Sequence, residues 1–343
     1  MPFQPAPWLR NAHLQTMWAP LFRKNPVLHR QRERLELPDG DFLDLDWNKR
    51  LNGNRDSADS HPLVVLFHGL TGSSNSAYIL GMQQALEDLG WDSVAVNFRG
   101  CSGRPNRLPR AYHSGETGDV DYVLTTCRQR FPQRTIMAIG YSLGGNALCK
   151  WLGEEGQRNT HSGHTSTINA GVVVSAPYQL DRCATRLDQG FSKVYRKRLI
   201  DELTQGITLK KNLYRHTHQE HYLQKLESLG PLEDIKSFWQ FDDKVVAPLH
   251  GFTSAQDYYQ RSSARQFVPH IQIPTLLVHA TDDPFMPEDV APTQEECPSG
   301  VELVLTSQGG HVGFVTGSWL PWKTEFWLEQ YIPAWLEAKV AES

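Results

Sequence analysis

The sequence predicts an α/β protein, a mostly parallel sheet with helices on both faces. Three observations predict it. Strand-like and helix-like segments alternate from residue 63 to residue 175. The first of those strands, Leu63-Val-Val-Leu-Phe67, is apolar without a break, as in a strand buried on both faces of a parallel sheet. And one serine, Ser142, stands between Gly140 and Gly144 where a strand turns into a helix.

Taken in order, residues 1–30 are rich in Pro and Trp without clear periodicity and read as an arm lying on the body. Leu35–Leu37 and Phe42–Trp47 flank Pro38-Asp39-Gly40, the signature of a hairpin. Gly53 to Ser60 is a polar loop. Strands are expected at 63–67, 92–97, 135–140 and 168–175, with helices at 77–89, 118–130 and 143–153 between them. After Pro177 the alternation stops. Residues about 180–270 are polar, aromatic and helical in pattern, and read as a cap inserted over the carboxyl ends of the strands, where α/β sites form. Strands resume at Thr275–His279 and Val301–Leu305, and a closing helix is expected over Trp319–Lys339 with Pro321 early in it. The whole, 1–343, reads as one domain with an arm and a cap.

Bulk properties exclude several classes. A net charge of −4, with only short basic clusters, argues against a nucleic-acid partner. Five widely spaced cysteines with no Cys-x-x-Cys argue against a disulfide framework and fit a reducing compartment. No run approaches the ~18–20 apolar residues that span a bilayer, and Met1-Pro-Phe-Gln-Pro has no signal-peptide pattern. The expectation is a cytoplasmic protein without an integral membrane segment. A monomer is compatible with the sequence, which does not set the oligomeric state.

A serine between glycines at a strand-to-helix turn matches a nucleophile elbow, Gly-x-Ser-x-Gly. The glycines let strand and helix approach, and the helix N-terminus behind Ser142 favours developing negative charge. A serine hydroxyl needs a base. Of the 14 histidines, His311 follows the last strand within Gly309-Gly-His-Val-Gly-Phe314, in the chain order Ser…Asp…His. The orienting acid belongs in Thr281-Asp-Asp-Pro284, at the end of the penultimate strand. Asp283 is preferred, with Asp282 the near rival and Asp181 the third. A turn aspartate otherwise serves as a local cap. The oxyanion hole needs two backbone N–H groups. One is expected from Leu143, and the other from Leu70 in the His68-Gly-Leu-Thr-Gly72 loop.

Together with Asn11–Thr16, Asn97–Gly103, Tyr112–Thr117 and Gly140–Asn146, these segments resemble the α/β-hydrolase superfamily, and within it the YheT-like branch of esterases and lipases (AB hydrolase 4 family). The resemblance runs over nearly the whole chain. It implies an eight-stranded, mostly parallel sheet with a helical cap, and hydrolysis of carboxylic esters through Ser142, Asp283 and His311, with no cofactor and no metal. In the family's motif the acid lies four residues before a proline, and Pro287 then points to Asp283. Eukaryotic relatives carry an N-terminal membrane anchor, and none is expected from residues 1–30 here.

Other features weigh less. His216-Thr-His218-Gln-Glu-His221 lacks a consistent metal-ligand spacing and reads as a polar insertion helix. Tyr112, His113 and Glu116 read as braces or pocket lining, Cys101 as a thiol with no base beside it, and His13 as an arm-docking residue. The leading expectation is a hydrolase of short- to medium-chain esters, monoacylglycerols included, with the insertion's aromatic residues, such as Tyr195, Phe238 and Tyr259, walling an acyl slot. A thioesterase or acyltransferase would use the same residues. A non-catalytic binding protein on this fold is the alternative of another class. Dehalogenases and epoxide hydrolases place an aspartate at the elbow, and Ser142 argues against both.

Overall fold

The computed structural model of the protein describes residues 2–48, 61–162, 166–320 and 323–342. The polar loop expected at 53–60 and Pro321 lie outside the described residues.

Chain order runs α1 (Ala12–Phe22), β1 (Gln31–Glu36), β2 (Phe42–Asn48), β3 (Leu63–Phe67), α2 (Ala77–Asp88), β4 (Asp92–Asn97), α3 (Thr117–Arg130), β5 (Ile136–Tyr141), α4 (Leu143–Ser162) and β6 (Ala170–Val174). Six α-helices follow before the sheet resumes, with a π-helical turn (Asp242–Val246) and a 3-10 turn (Ala264–His270) among them: α5 (Leu180–Arg186), α6 (Ser192–His216), α7 (Glu220–Glu227), α8 (Phe238–Phe241), α9 (Ala247–His250) and α10 (Ala255–Ser262). Then come β7 (Thr275–Ala280), β8 (Val301–Thr306), a small hairpin of β9 (Val315–Gly317) and β10 (Thr324–Phe326), and α11 (Leu328–Glu342).

Eight strands form one sheet in the order β1-β2-β4-β3-β5-β6-β7-β8. β1 and β2 are antiparallel, as are β2 and β4, and every later pairing is parallel. The period-2 geometry of a strand divides its side chains between the two faces. Leu63, Val65 and Phe67 point to the layer that holds α3 and α4, with Val123 and Trp151 packed there. Val64 and Leu66 point to the layer that holds α2 and α11, with Met82, Ile332 and Leu336. All these side chains are fully buried, and each stabilises the fold by about 1.5–3 kcal/mol. The unbroken apolar run at 63–67 thus has its physical cause in two covered faces.

The helices between β6 and β7 build a separate apolar cluster around Leu180, Ile207, Tyr214, Phe238, Tyr258 and Tyr259. They are tied to the body by buried polar contacts. The Asn146 amide of α4 donates to the carbonyls of Ser114 and Ser262 and accepts from the Ala264 amide. The Lys210 ammonium donates to the carbonyls of Leu108 and Arg110.

The closing helix starts later than its apolar pattern suggests. Trp319 and Leu320 lie in the connection of the β9–β10 hairpin, Trp319 is 73% exposed, and α11 begins at Leu328. Gly317 makes that hairpin possible: φ is +130° and a Cβ there would lie 2.3 Å from the Lys323 carbonyl oxygen.

Candidate active site

Ser142 sits between β5 and α4 with φ at +52°, a region that side chains other than glycine rarely enter. The strained residue is held from both sides. Its amide donates to the Val174 carbonyl at 2.8 Å, and its carbonyl accepts from the Asn146 amide at 2.9 Å. The flanking glycines are required by distance. A Cβ on Gly144 would lie 2.4 Å from the His68 carbonyl oxygen, and one on Gly140 would lie 2.5 Å from the Gly144 carbonyl oxygen. The turn is therefore pressed against the end of β3 and projects the Ser142 side chain into the cavity above the sheet.

His311 lies in the turn after β8. Its Nε2 is 2.9 Å from Ser142 Oγ, and its Nδ1 is 2.7 Å from Asp283 Oδ2. Asp283, 3% exposed, also accepts the Phe285 amide at 2.8 Å through Oδ1, so both carboxylate oxygens are engaged. The Phe285 ring stacks on the imidazole at 4.2 Å and 9°. Asp282 has a different neighbour. Its Oδ1 accepts the Gly310 amide at 2.9 Å, bracing the turn that carries His311. Burial pushes the Asp282 carboxyl up, against the Gly310 and Gly309 amides that hold it down. Asp181 is in the first turn of α5.

The turn carrying His311 is itself left-handed at several points, Gly310, Val312 and Phe314 among them. α1 supports it. Asn11 caps that helix by accepting from the amides of His13 and Leu14. Thr16 Oγ1 accepts the His311 amide at 2.9 Å and donates to the Ala12 carbonyl at 2.8 Å. Gln15, fully buried, donates to the Val315 carbonyl and accepts its amide. His13 contacts Tyr195 of α6 at 3.1 Å and packs on Phe191, so it joins the arm to the cap. The Asn11–Thr16 motif thus fixes the position of His311 from outside the sheet.

Two backbone amides lie next to the serine in the chain or across the loop, Leu143 directly after it and Leu70 directly after Gly69. Gly69 is so close that a Cβ on it would lie 3.0 Å from Ser142 Cβ. Among the described residues, neither the Leu70 nor the Leu143 N–H has a hydrogen-bond partner. The loop carrying Leu70 is pinned on either side of it. The Gly69 amide donates to Tyr78 Oη at 2.9 Å, and the Thr71 amide to Tyr112 Oη at 2.8 Å, with Thr71 at φ +54°. His68, fully buried, bridges this loop to β4 by accepting the Phe98 amide at Nε2, and burial pushes its imidazole down to about 4. Tyr112 and His113 line the cavity, while Glu116 pairs with Arg110. Partial burial pushes the Cys101 thiol up to about 12, away from the thiolate that a nucleophile needs.

Tyr78 and Thr16 were given no individual role by sequence reasoning. Each acts through a contact remote in sequence, and no local pattern marks it. Among the described residues no group of three His, Cys, Asp or Glu side chains is arranged to hold a metal, and His216 instead bonds the Asn212 carbonyl.

The cavity measures about 710 Å³. Its floor carries Ser142 and His311, one wall is α1 with Met17 and Pro20, and the cap supplies Leu180, Leu199, Phe238, Tyr258 and Tyr259. The walls are mostly apolar by area, as in a slot that holds a hydrocarbon chain.

With this geometry in place, comparison with known proteins is informative. The model of the α/β-hydrolase fold family matches residues 62–318. The chain belongs to that family, as an enzyme of its esterase/lipase type. Within the family it falls in the YheT-like branch. It is 41% identical over 334 residues to YheT of Escherichia coli (strain K12), an esterase by provisional name, covering 97% of this chain and 92% of that protein. It is 28% identical over 320 residues to phospholipase ABHD3 of Mus musculus, covering 92% of this chain and 74% of that one. Among solved structures, the Pyrococcus furiosus esterase PF2001 shares the fold with a TM-score of 0.52 at 16% identity, over 92% of this chain and 90% of that one.

Proposed function

We propose that the protein hydrolyses carboxylic esters of short- to medium-chain acyl groups, monoacylglycerols included, through an acyl-enzyme on Ser142. The observation that carries this reading is the continuous hydrogen-bonded row Asp283–His311–Ser142 beside two unpartnered amides. Ser142 Oγ attacks the acyl carbonyl while His311 Nε2 takes its proton, which only a neutral imidazole can do. Asp283 holds the Nδ1–H tautomer and stabilises the imidazolium. The Leu70 and Leu143 amides receive the oxyanion, aided by the N-terminus of the 20-residue α4. His311 returns the proton to the departing alcohol. Water, activated by the same imidazole, then attacks the acyl carbonyl and releases the acid. No step requires a metal or organic cofactor.

In this reading, residues 1–343 form one domain, with the arm 1–30 as support for the His311 turn and the insertion of about 180–270 as the cap that walls the acyl slot. The partner is a small-molecule ester, without nucleic acid. The five free thiols fit a reducing compartment, which makes the cytoplasm the proposed location. Among the described residues, no helix is long and apolar enough to cross a membrane.

A nitrophenyl ester series from C2 to C12, with monoacylglycerols and Ser142→Ala as control, tests the reading. We expect turnover confined to the wild type, a fluorophosphonate adduct on Ser142, and loss of at least about 10³-fold in His311→Ala with the fold intact. Turnover of acyl thioesters alone would replace the ester assignment. A folded protein without any Ser142 adduct would leave only a binding role.

A further inference from the structure

Asp242 is buried in the cap, where the helix widens into a π-helical turn over Asp242–Val246. Such single π turns inside α-helices recur at functional sites. Asp242 is also the only carboxylate among the described residues that line the cavity above Ser142. Around it in that lining are Phe238, Phe241, Val246 and Tyr259. Its Oδ2 accepts the Tyr259 hydroxyl at 2.6 Å. The second oxygen, Oδ1, has no partner among the described residues. That oxygen is open to the cavity and not sealed in the core, so a ligand hydroxyl can take the place of water on it.

We infer that Asp242, oriented by Tyr259, is the specificity-determining residue that receives a free hydroxyl on the alcohol part of the ester, as in a glycerol monoester. This inference rests on the ester-hydrolase reading of Ser142 and adds to it which leaving alcohol the cavity prefers. Oδ1 accepts from the substrate hydroxyl while Tyr259 holds the other oxygen. The acyl chain then lies along the apolar walls. Burial pushes the Asp242 carboxyl up to about 7, with the Tyr259 hydrogen bond opposing. A site that hydrogen-bonds a substrate hydroxyl rejects the analogue without one far more strongly than an apolar pocket rejects a missing methylene.

The test compares the full chain on monooctanoylglycerol, methyl octanoate and octanoylcholine, which share one acyl group. Wild type should favour the glycerol ester. Asp242→Leu should lower kcat/KM for it by roughly tenfold or more, chiefly through KM, and change the methyl ester by less than about twofold. Tyr259→Phe should shift the same ratio in the same direction by a smaller factor. Asp242→Asn, isosteric and still carrying one acceptor oxygen, keeps the test open if leucine disturbs the cap, and should fall between leucine and wild type. Proportional losses on all three esters, or an unchanged glycerol-to-methyl ratio in every variant, would overturn the inference while leaving the hydrolase reading in place. Selective loss of octanoylcholine turnover would overturn the hydroxyl assignment in favour of a cation. If wild type cleaves none of the three above the Ser142→Ala background, the hydrolase reading fails and this inference falls with it.

Discussion

The carboxylates of Asp282 and Asp283 leave one turn in different directions, and their hydrogen bonds separate their duties. Asp283 Oδ2 meets His311 Nδ1, whereas Asp282 Oδ1 meets the Gly310 amide. An asparagine at 283 that keeps its oxygen on the Phe285 amide turns its N–H toward Nδ1 and stabilises the wrong tautomer. In a serine triad that exchange can cost about 10⁴-fold in turnover. An asparagine at 282 keeps an oxygen that can accept from Gly310. We expect Asp283→Asn to lose about 10³- to 10⁴-fold in kcat on one ester and Asp282→Asn about tenfold or less. Single-turnover kinetics on both mutants check this, and a more crippled Asp282→Asn would reverse the two roles. The preference for Asp283 rests on the motif that the family resemblance implies, in which the acid lies four residues before a proline, here Pro287. The role of Asp282 was out of reach of sequence, because its partner lies 28 residues away.

The elbow and α1 place Ser142 and His311 in register with each other. Gly144 separates α4 from the end of β3, and the atoms a Cβ would strike there are backbone, which cannot rotate away. Gly144→Ala should destabilise the fold by about 1–3 kcal/mol, as overpacking does, and displace Ser142 enough to lower kcat. Urea midpoints and ester kinetics read the two effects separately. Thr16 makes the complementary case. Thr16→Val keeps the shape of α1 but leaves the His311 amide without its acceptor, a loss of about 1–3 kcal/mol in stability or in the placement of the turn. We expect a fall of roughly tenfold in kcat with little change in KM, and an unaltered kcat would mean that α1 does not govern His311. The elbow was readable because strand, glycines, serine and helix are consecutive. The support from Thr16 was not, since it spans 295 residues, and the Asn11–Thr16 motif alone says nothing about what it touches. The β9–β10 hairpin was misread as helix for a related reason: apolar spacing at Trp319 and Leu320 mimics a helical face, while the deciding pairing of Val315–Gly317 with Thr324–Phe326 is a tertiary one.

Across the whole molecule, the parallel sheet was readable from alternation because burial on both faces leaves continuous apolar runs. The polar interior of the molecule was not, because its members come from many elements. Four histidines are wholly or partly buried, His68 and His279 wholly: burial pushes His68, His250 and His279 down to about 4 and His113 well below its ordinary value. Between the ordinary value of 6.5 and 4, the unfolded chain takes protons that the folded chain refuses. Stability is therefore fully present above pH 6.5 and falls as the pH drops toward 4. Asp242 works in the opposite sense, since its raised carboxyl disfavours the fold as pH rises toward about 7. A single-residue difference isolates one group from this sum. His279, on β7, has no protein partner for either ring nitrogen among the described residues. His279→Leu removes both nitrogens at nearly constant volume. At pH 5 the wild type forgoes roughly 2 kcal/mol by keeping this imidazole neutral, and at pH 7 it forgoes almost nothing. The urea midpoint of His279→Leu should therefore exceed that of wild type clearly at pH 5, with the gap shrinking by about that amount toward pH 7. A gap of the same size at both values would show that His279 titrates in the fold as it does in the unfolded chain.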